Sequence, residues 1–329
     1  LREAISRADF VCHLAGANRP IDESDFAHVN TELTRTLCEE VRKSGRYLPI
    51  IFTSSVHAKQ NTPYGLSKLE AEQVLLRHTE ETKMPVYIFR LPNVFGKWCK
   101  PNYNSVVATF CHNIARDLPV KIDNPDHLLS LVYIDDVISA FEKIMTEGGA
   151  DGSYCEAHPI HTITTGQLAD QIRSFRTSRS SLVFERVGTG LTRALYATYV
   201  SYLPLDNFAY EIPQYKDARG VFVEMLKTKD TGQFSFFTAH PGVTRGDHYH
   251  HSKTEKILVI KGKARFRFRH ILTQEVHEVF TSGEKPEIVE TVPGWAHNVT
   301  NIGDNEMVVM IWANEIFDRD HPDTHTCPL

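Results

Sequence analysis

Gly242-Val243-Thr244-Arg245-Gly246-Asp247-His248-Tyr249-His250, continued through Glu255 to Gly262 and answered by Gly294-x2-His297-x3-Asn301, decides the fold of the last third of this chain. His248 and His250 stand two positions apart, so on a β-strand both rings point to the same face. Glu255 opens the run Glu255–Lys261, which reads as the next strand, and His297 arrives from a separate hairpin after Pro293-Gly294. Three imidazoles and one carboxylate suit a single borderline divalent ion such as zinc, iron, nickel or manganese. The pattern predicts a metal-binding β-barrel with His248, His250, Glu255 and His297 as ligands. His251 falls on the opposite strand face and is not counted among them.

Upstream of this region the pattern changes. From Gln233 onward the chain reads as closely spaced β-rich runs, with turns at Pro241-Gly242, Lys261-Gly262, Ser282-Gly283 and Pro293-Gly294. Before it, short apolar strands alternate with helical runs: Phe10–Gly16, Leu48–Ser55 and Val86–Phe95 as strands, and Phe26–Lys43, Tyr64–His78, Ser105–Ala115 and Val137–Met145 as helices. In the first helix Val29, Leu33 and Leu37 share one face. Alternation of this kind predicts a doubly wound parallel sheet. A linker is expected near Tyr199–Pro213, giving domains at 1–204 and 205–329. The first residues, Leu1 to Ala8, read as the tail of a helix already under way, so the chain looks truncated.

Composition narrows the function. With 329 residues, 41% of them hydrophobic, the chain can build two cores. A net charge of −5 with scattered basic residues gives no electrostatic case for nucleic acid. No apolar run reaches the roughly 18 residues of a membrane span. The six cysteines lie far apart with no C-x-x-C pair, as expected of reduced thiols in the cytoplasm.

The first domain carries its own chemistry. Tyr64-Gly65-Leu66-Ser67-Lys68 follows the hydroxyl-tipped strand end Thr53-Ser54-Ser55. On a helix Lys68 shares a face with Tyr64, and its ammonium is expected to lower the phenol pKa from about 10. Tyr64 then acts as general acid toward a developing alkoxide, with Ser55 bonding the same oxygen. His57, His112, His158 and His161 have no spacing partners and read as surface or capping residues. Trp98, with Lys97, Lys100, Asn102 and Tyr103, could either hold a sugar nucleotide or stack on the core, and Trp312 and Phe317 are expected to fill the barrel.

These motifs resemble the extended short-chain dehydrogenase/reductase family. Val11-Cys12-His13-Leu14-Ala15-Gly16 looks like its V-x-H-L-A-x strand, and Asn30-Thr31-Glu32-Leu33-Thr34 like its N-V-x-G-T helix start, with Leu33 in place of glycine. Arg90-Leu91-Pro92-Asn93-Val94-Phe95-Gly96 matches R-x-x-N-V-Y-G, and Val132-Tyr133-Ile134-Asp135-Asp136-Val137 matches V-Y-V-D-D-V. The resemblance implies a Rossmann fold, with Leu14, Ala15, Gly16, Tyr64, Lys68, Pro92 and Val94 at the dinucleotide and Asn93 and Asn104 at the substrate. The family's Gly-x-x-Gly-x-x-Gly phosphate loop is not in the sequence, and by family layout about forty residues are expected upstream. The residue that reads the ribose 2′-position would lie there too, so the choice between NADPH and NADH stays open.

The second region resembles the cupins, jelly-roll barrels, and among them the dTDP-4-keto-6-deoxysugar 3,5-epimerases. Asp217-x-Arg219-Gly220-x-Phe222-x-Glu224, Gln233 and Gly242-Val243-Thr244-Arg245-Gly246-x-His248 follow that order. In those epimerases the histidine of the second motif is the base; here the spacing favours His248 as a ligand, because an imidazole bound to metal cannot also take a proton from carbon. Arg245 is then expected to contact substrate phosphate.

The order of the two domains resembles the CapF-type bifunctional enzymes of bacterial capsular polysaccharide synthesis, supported by Phe95–Ser105 and Trp312-Ala313-Asn314-Glu315. That resemblance implies a UDP-linked 2-acetamido-4-keto-2,6-dideoxyhexose substrate, C3 epimerisation, and NADPH-dependent reduction at C4 to a 6-deoxy-talosamine sugar on the way to N-acetylfucosamine. It also implies zinc and a homodimer. Two rival readings are a reductase whose cupin is only a metal-stabilised dimerisation module, and a 4-epimerase that cycles bound NAD.

Overall fold

The computed structural model describes residues 1–18, 20, 22–149 and 154–329. The chain divides into two units, Leu1–Ile172 with Arg193–Leu203, and Arg173–Thr192 with Pro204–Leu329. Among the described residues no helix is long and apolar enough to cross a membrane.

The first unit is built on strands β1 (Val11–His13), β2 (Ile50–Ser55) and β3 (Val86–Leu91), with helices α1 (Arg2–Arg7), α2 (Leu33–Ser44) and α3 (Pro63–Thr82). All strand pairs in the order β1-β2-β3-β6 are parallel, β6 being Tyr154–Cys155. Strand alternation distributes the apolar residues of LPIIFTSS to both faces. Ile50 and Phe52 pack with Cys38 of α2 and Ala71, Val74 and Leu75 of α3. Ile51 turns the other way, to Val137 and Phe141 of α5 (Ile134–Glu147). Both faces of the sheet are thus covered, as a doubly wound parallel sheet requires.

Two expected elements are divided. The run Val86–Phe95 breaks after Leu91 into β3 and β4 (Asn93–Phe95), which belong to different sheets. Pro92 sits at the break, with no N–H to continue a ladder. β4 pairs in parallel with β5 (Leu128–Tyr133), and β5 pairs antiparallel with β7 (Ile160–Thr164). The helix expected over Phe26–Lys43 begins as a π-helical stretch, Phe26–Glu32, before α2. The wider winding rotates the inward face, so that Asn30, Thr31, Thr34, Leu37 and Cys38 are buried. Leu33, expected inside, is 39% exposed. α4 (Val106–Ile114) starts where Ser105 accepts the N–H of Ala108. Two further helices, α6 (Thr165–Ser181) and α7 (Gly190–Ser201), follow β7.

From Tyr215 onward the second unit is all-β. Its larger sheet runs β16-β13-β18-β11-β10-β8, with β9 on β10: β8 (Val183–Phe184), β9 (Tyr215–Asp217), β10 (Gly220–Thr228), β11 (Gly232–Ala239), β13 (Glu255–Lys261), β16 (Ile288–Glu290) and β18 (Met307–Ala313). The other runs β15-β14-β17-β12-β19: β12 (Thr244–Tyr249), β14 (Lys263–His270), β15 (Val276–Ser282), β17 (Trp295–Asn301) and β19 (His325–Thr326). Residues from both sheets form one core: Phe237, Ile257, Val259, Met307 and Val309 from the larger, Phe266, Phe268 and Val299 from the smaller. Pairing of β8 with β10 explains why Arg173–Thr192 join this unit, ahead of Pro204. Trp312 does not fill the interior as expected: it sits on the outward-facing alternate of β18, where its indole N–H donates to the carbonyl of Thr231 at 2.8 Å. Phe317 is 44% exposed.

Candidate functional site

In the first unit the sequence T-P-Y-G-L-S-K fixes the start of α3. Thr62 caps it by accepting the N–H of Gly65 at 3.1 Å, and Pro63 occupies the first turn. Tyr64 and Lys68, one turn apart, therefore face the end of β2 together. Ser55 at that end stands beside the Tyr64 phenol. A cavity of about 570 Å³ opens here, lined by Ser55, Tyr64 and Lys68. Leu14, Gly16, Pro92, Asn93, Val94 and Asn104 line the same cavity, whereas Ala15 is exposed beside them.

The electrostatics differ from expectation in one respect. Burial raises the Tyr64 phenol pKa, against the opposing effect of the Ser55 bond. That burial outweighs any help from Lys68, whose buried ammonium donates to the carbonyl of Thr53 at 3.1 Å and lies over the Phe52 ring. Burial brings Lys68 down to about 8, partly offset by Glu72. Gly16 is needed for this approach, since a Cβ there would stand 2.9 Å from both Lys68 Nζ and Asn30 Oδ1.

Several groups supporting this site were not among the site residues expected from the sequence. Asn30 bridges the strand-end loop and α3: its Oδ1 accepts from Ala17 N–H at 2.8 Å and its Nδ2 donates to Ser67 Oγ at 3.0 Å. His13 is buried against Thr34 Oγ1 at 2.8 Å, and burial with the nearby Lys68 charge holds it at about 4, hence neutral. His57, read from sequence as a surface or capping residue, lines the cavity with its ring 6.3 Å from that of Tyr64. Beneath Ser54, Glu72 is fully buried and takes both a bidentate bond from Arg90, at 3.0 and 2.6 Å, and the Tyr154 hydroxyl at 3.0 Å. Arg90 of the R-x-x-N motif thus spends its guanidinium on α3. Trp98 is 88% exposed.

In the second unit the four predicted ligand residues meet. One ligand atom from each of His248, His250, Glu255 and His297 lies within 4.8 Å of the others. β12 carries a bulge between Gly246 and His248, with Asp247 in the left-handed region at φ 59° and held by Asn298 Nδ2 at 2.7 Å. The bulge leaves His248 directly opposite His297 on β17, their ring centres 4.8 Å apart. Gly246 permits it, because a Cβ there would stand 2.8 Å from the carbonyl of His297.

The donor set fits a divalent cation. His250 Nδ1 lies 2.6 Å from the carbonyl of Asp323 and His297 Nδ1 lies 3.2 Å from that of Trp295. Each Nδ1 therefore carries the proton and leaves Nε2 with a free lone pair. Those two buried Nε2 atoms have no hydrogen-bond partner, which is the arrangement a metal-ligating histidine needs. Burial, with His297 and His250 alongside, lowers His248 to about 4, so it too is neutral. Burial alone would raise Glu255, but His250, His297 and Lys253 hold its carboxyl well below the usual range, ionised and ready to ligate.

Beside the four lies a cavity of about 240 Å³ that also admits Arg219, Arg245 and Asn298. Arg245, the candidate substrate contact, belongs to this cavity and not to that of Tyr64. Its Nε donates to the carbonyl of Thr238 at 3.1 Å, and a buried Nη2 has no hydrogen-bond partner.

A nucleotide-type parallel sheet with a Ser-Tyr-Lys cavity, followed by an all-β unit with a His3Glu cluster, defines the class. The NAD dependent epimerase/dehydratase family matches residues 1–155, and the polysaccharide biosynthesis C-terminal domain matches residues 215–325. The chain belongs to the CapF-type family of polysaccharide-biosynthesis proteins, in which these two domains are joined. It is 59% identical to a UDP-2-acetamido-2,6-beta-L-arabino-hexul-4-ose reductase of Pseudomonas aeruginosa, across 100% of this chain and 88% of that protein. The capsular polysaccharide assembling protein CapF of Staphylococcus aureus superposes with a TM-score of 0.92 at 39% identity, over 100% of this chain and 89% of that one. A UDP-glucose 4-epimerase of Thermotoga maritima, at 20% identity and TM-score 0.52 over 61% of this chain and 81% of that one, shares the fold of the first unit.

Proposed function

We propose that this chain reduces the C4 ketone of a UDP-linked 2-acetamido-4-keto-2,6-dideoxyhexose with NADPH or NADH, and that the all-β unit epimerises the same sugar at C3. The convergence of Ser55, Tyr64 and Lys68 on one cavity with Asn93, Val94 and Asn104 carries the reading. Its support is the reductase relative, 59% identical along the whole chain.

A nicotinamide held in this cavity would supply a hydride to C4. The chain's part is proton supply and alignment. Ser55 donates to the carbonyl oxygen and orients it. Tyr64, whose raised pKa keeps it protonated, gives its proton to that oxygen as negative charge develops, and solvent restores it. Lys68 stabilises the phenolate left behind and holds the cofactor ribose; Leu14, Ala15, Gly16, Pro92 and Val94 form the cofactor's bed, with Asn93 and Asn104 on the sugar.

In the second unit a 4-ketone acidifies the C3 hydrogen, because the carbanion is an enolate. His248, His250, Glu255 and His297 would hold one divalent ion, zinc by donor type, and the ion would supply Lewis acidity or rigidity. Arg245 offers to substrate phosphate its Nη2, which has no hydrogen-bond partner and lies 3.8 Å from Asp217 Oδ1. Reduction at C4 then locks the new C3 configuration, since without the ketone C3 is no longer acidic. The enzyme is read as a cytoplasmic homodimer.

The test is NMR in deuterated water with a 4-keto-6-deoxy UDP-sugar, first without NADPH and then with it. C3 deuteration before NADPH, followed by a C4-reduced, C3-inverted product, is expected. Reduction with C3 unexchanged would leave the all-β unit as a structural module.

A further inference from the structure

The segment Asp323–Cys327 has no sequence motif, yet it touches the metal cluster at several points. Asp323 Oδ1 accepts the N–H of His251 at 2.8 Å; its Oδ2 accepts the N–H groups of Ser252 and Lys253 at 2.7 and 2.8 Å and the Ser252 hydroxyl at 2.9 Å. Its carbonyl is the partner of His250 Nδ1 at 2.6 Å. Next to it, Thr324 Oγ1 accepts from Lys253 Nζ at 3.1 Å, and that buried ammonium lies 3.5 Å from Glu255 Oε1. Thr326 then pairs opposite His248 as β19 adds to β12, and Cys327 N–H donates to the carbonyl of Asp247 at 2.8 Å.

One short segment therefore reaches three of the four ligand positions: His248 through the ladder, His250 through the ring, and Glu255 through Lys253. The turn from His250 to Thr254 connects two ligand-bearing strands, and its successive N–H groups converge on a single carboxylate. Such a concavity is an anion nest, here filled by the chain itself.

We propose that Asp323–Cys327 is a clasp for the metal centre, with Asp323 the positioning residue. Its carboxylate fixes the turn between His250 and Glu255, and its carbonyl fixes the tautomer and aim of His250. The proposal rests on the metal reading above. Metal binding and docking of the segment are then coupled, and coupling of two binding events is reciprocal.

Zinc affinity is measured by competition with a chromophoric chelator, and ligand geometry by the visible spectrum of the cobalt-substituted protein. Asp323→Ala is expected to lose about ten- to hundredfold in zinc affinity, the usual effect of removing a partner behind a ligand, and to alter the cobalt spectrum. Asp323→Asn, which keeps one acceptor oxygen, should recover part of both. Asp318→Ala, whose carboxylate accepts the Asp320 and His321 N–H groups and lies 3.6 Å from His321 Nδ1, away from the four ligand residues, should match the unsubstituted chain. Equal zinc affinity in Asp323→Ala and the unsubstituted chain would overturn the clasp while leaving the metal site standing. No metal uptake by the unsubstituted chain would overturn both. Hydrogen exchange on the unsubstituted chain tests the coupling without any variant: zinc should slow the amides of residues 323–327, and unchanged rates would overturn the proposal.

Discussion

The Tyr64 phenol is held protonated, because burial dominates its local electrostatics. A proton donor of this kind contributes about 10² to 10⁴ in rate. Tyr64→Phe should therefore cut NADPH oxidation by that factor in a stopped-flow assay, with C3 deuterium exchange unchanged by NMR; loss of both would show that the two reactions share a site. The pH dependence follows from Lys68, which burial brings to about 8. Below that value the ammonium is present to stabilise the phenolate; above it the charge is lost, so kcat/KM for reduction should fall as pH rises through about 8. Lys68→Arg keeps its charge far beyond that range and should move the alkaline limb upward, if with a lower plateau. An unmoved limb would assign the ionisation to another group.

At the scale of elements, α3 is tied to β3 through a buried ion pair. Glu72 is fully buried and makes its bidentate bond to Arg90 directly below the Ser54-Ser55 strand end. Removing Glu72 leaves the partly exposed Arg90 and the buried Ser54 hydroxyl without their acceptor, at about 1–3 kcal/mol. Glu72→Ala should lower the urea midpoint accordingly, and Glu72→Gln less, since an amide still bonds the guanidinium; a loss below about 1 kcal/mol would mean that water replaces the carboxylate. Sequence patterning foretold these elements where one local rule dominated. The apolar run Leu48–Ser55 and the capped T-P-Y-G start needed only strand alternation and capping chemistry. It failed where tertiary contacts overrode periodicity: the π-wound start of α2 buries Asn30 and Thr34 in place of Leu33, and Pro92 parts one apolar run between two sheets. The meeting of His248, His250, Glu255 and His297 was legible because His248 and His250 stand two apart at the end of one strand and Glu255 opens the next. Asp323 was not, since nothing near it in sequence marks a carboxylate that folds back onto residues 251–253.

For the whole molecule, the proposed division of chemistry between two cores can be tested through the candidate metal site. The cluster of His248, His250, Glu255 and His297 lies wholly in the all-β unit, as do Trp295 and Trp312 among the three tryptophans of the chain. Tryptophan fluorescence therefore reports mainly on the unit that would lose its ion. A ligand that binds only the folded state stabilises it by RT ln(1 + [L]/Kd), about 4 kcal/mol at a thousandfold excess over Kd. Chelation should lower the fluorescence-detected melting temperature and abolish C3 deuteration, while NADPH oxidation persists with a substrate already inverted at C3. If the melting temperature falls but C3 exchange survives, the ion serves stability and the epimerase chemistry belongs to the side chains around Arg245. If NADPH oxidation falls in step with exchange, the ketone is handled at one place, and the division of labour between the two units is wrong.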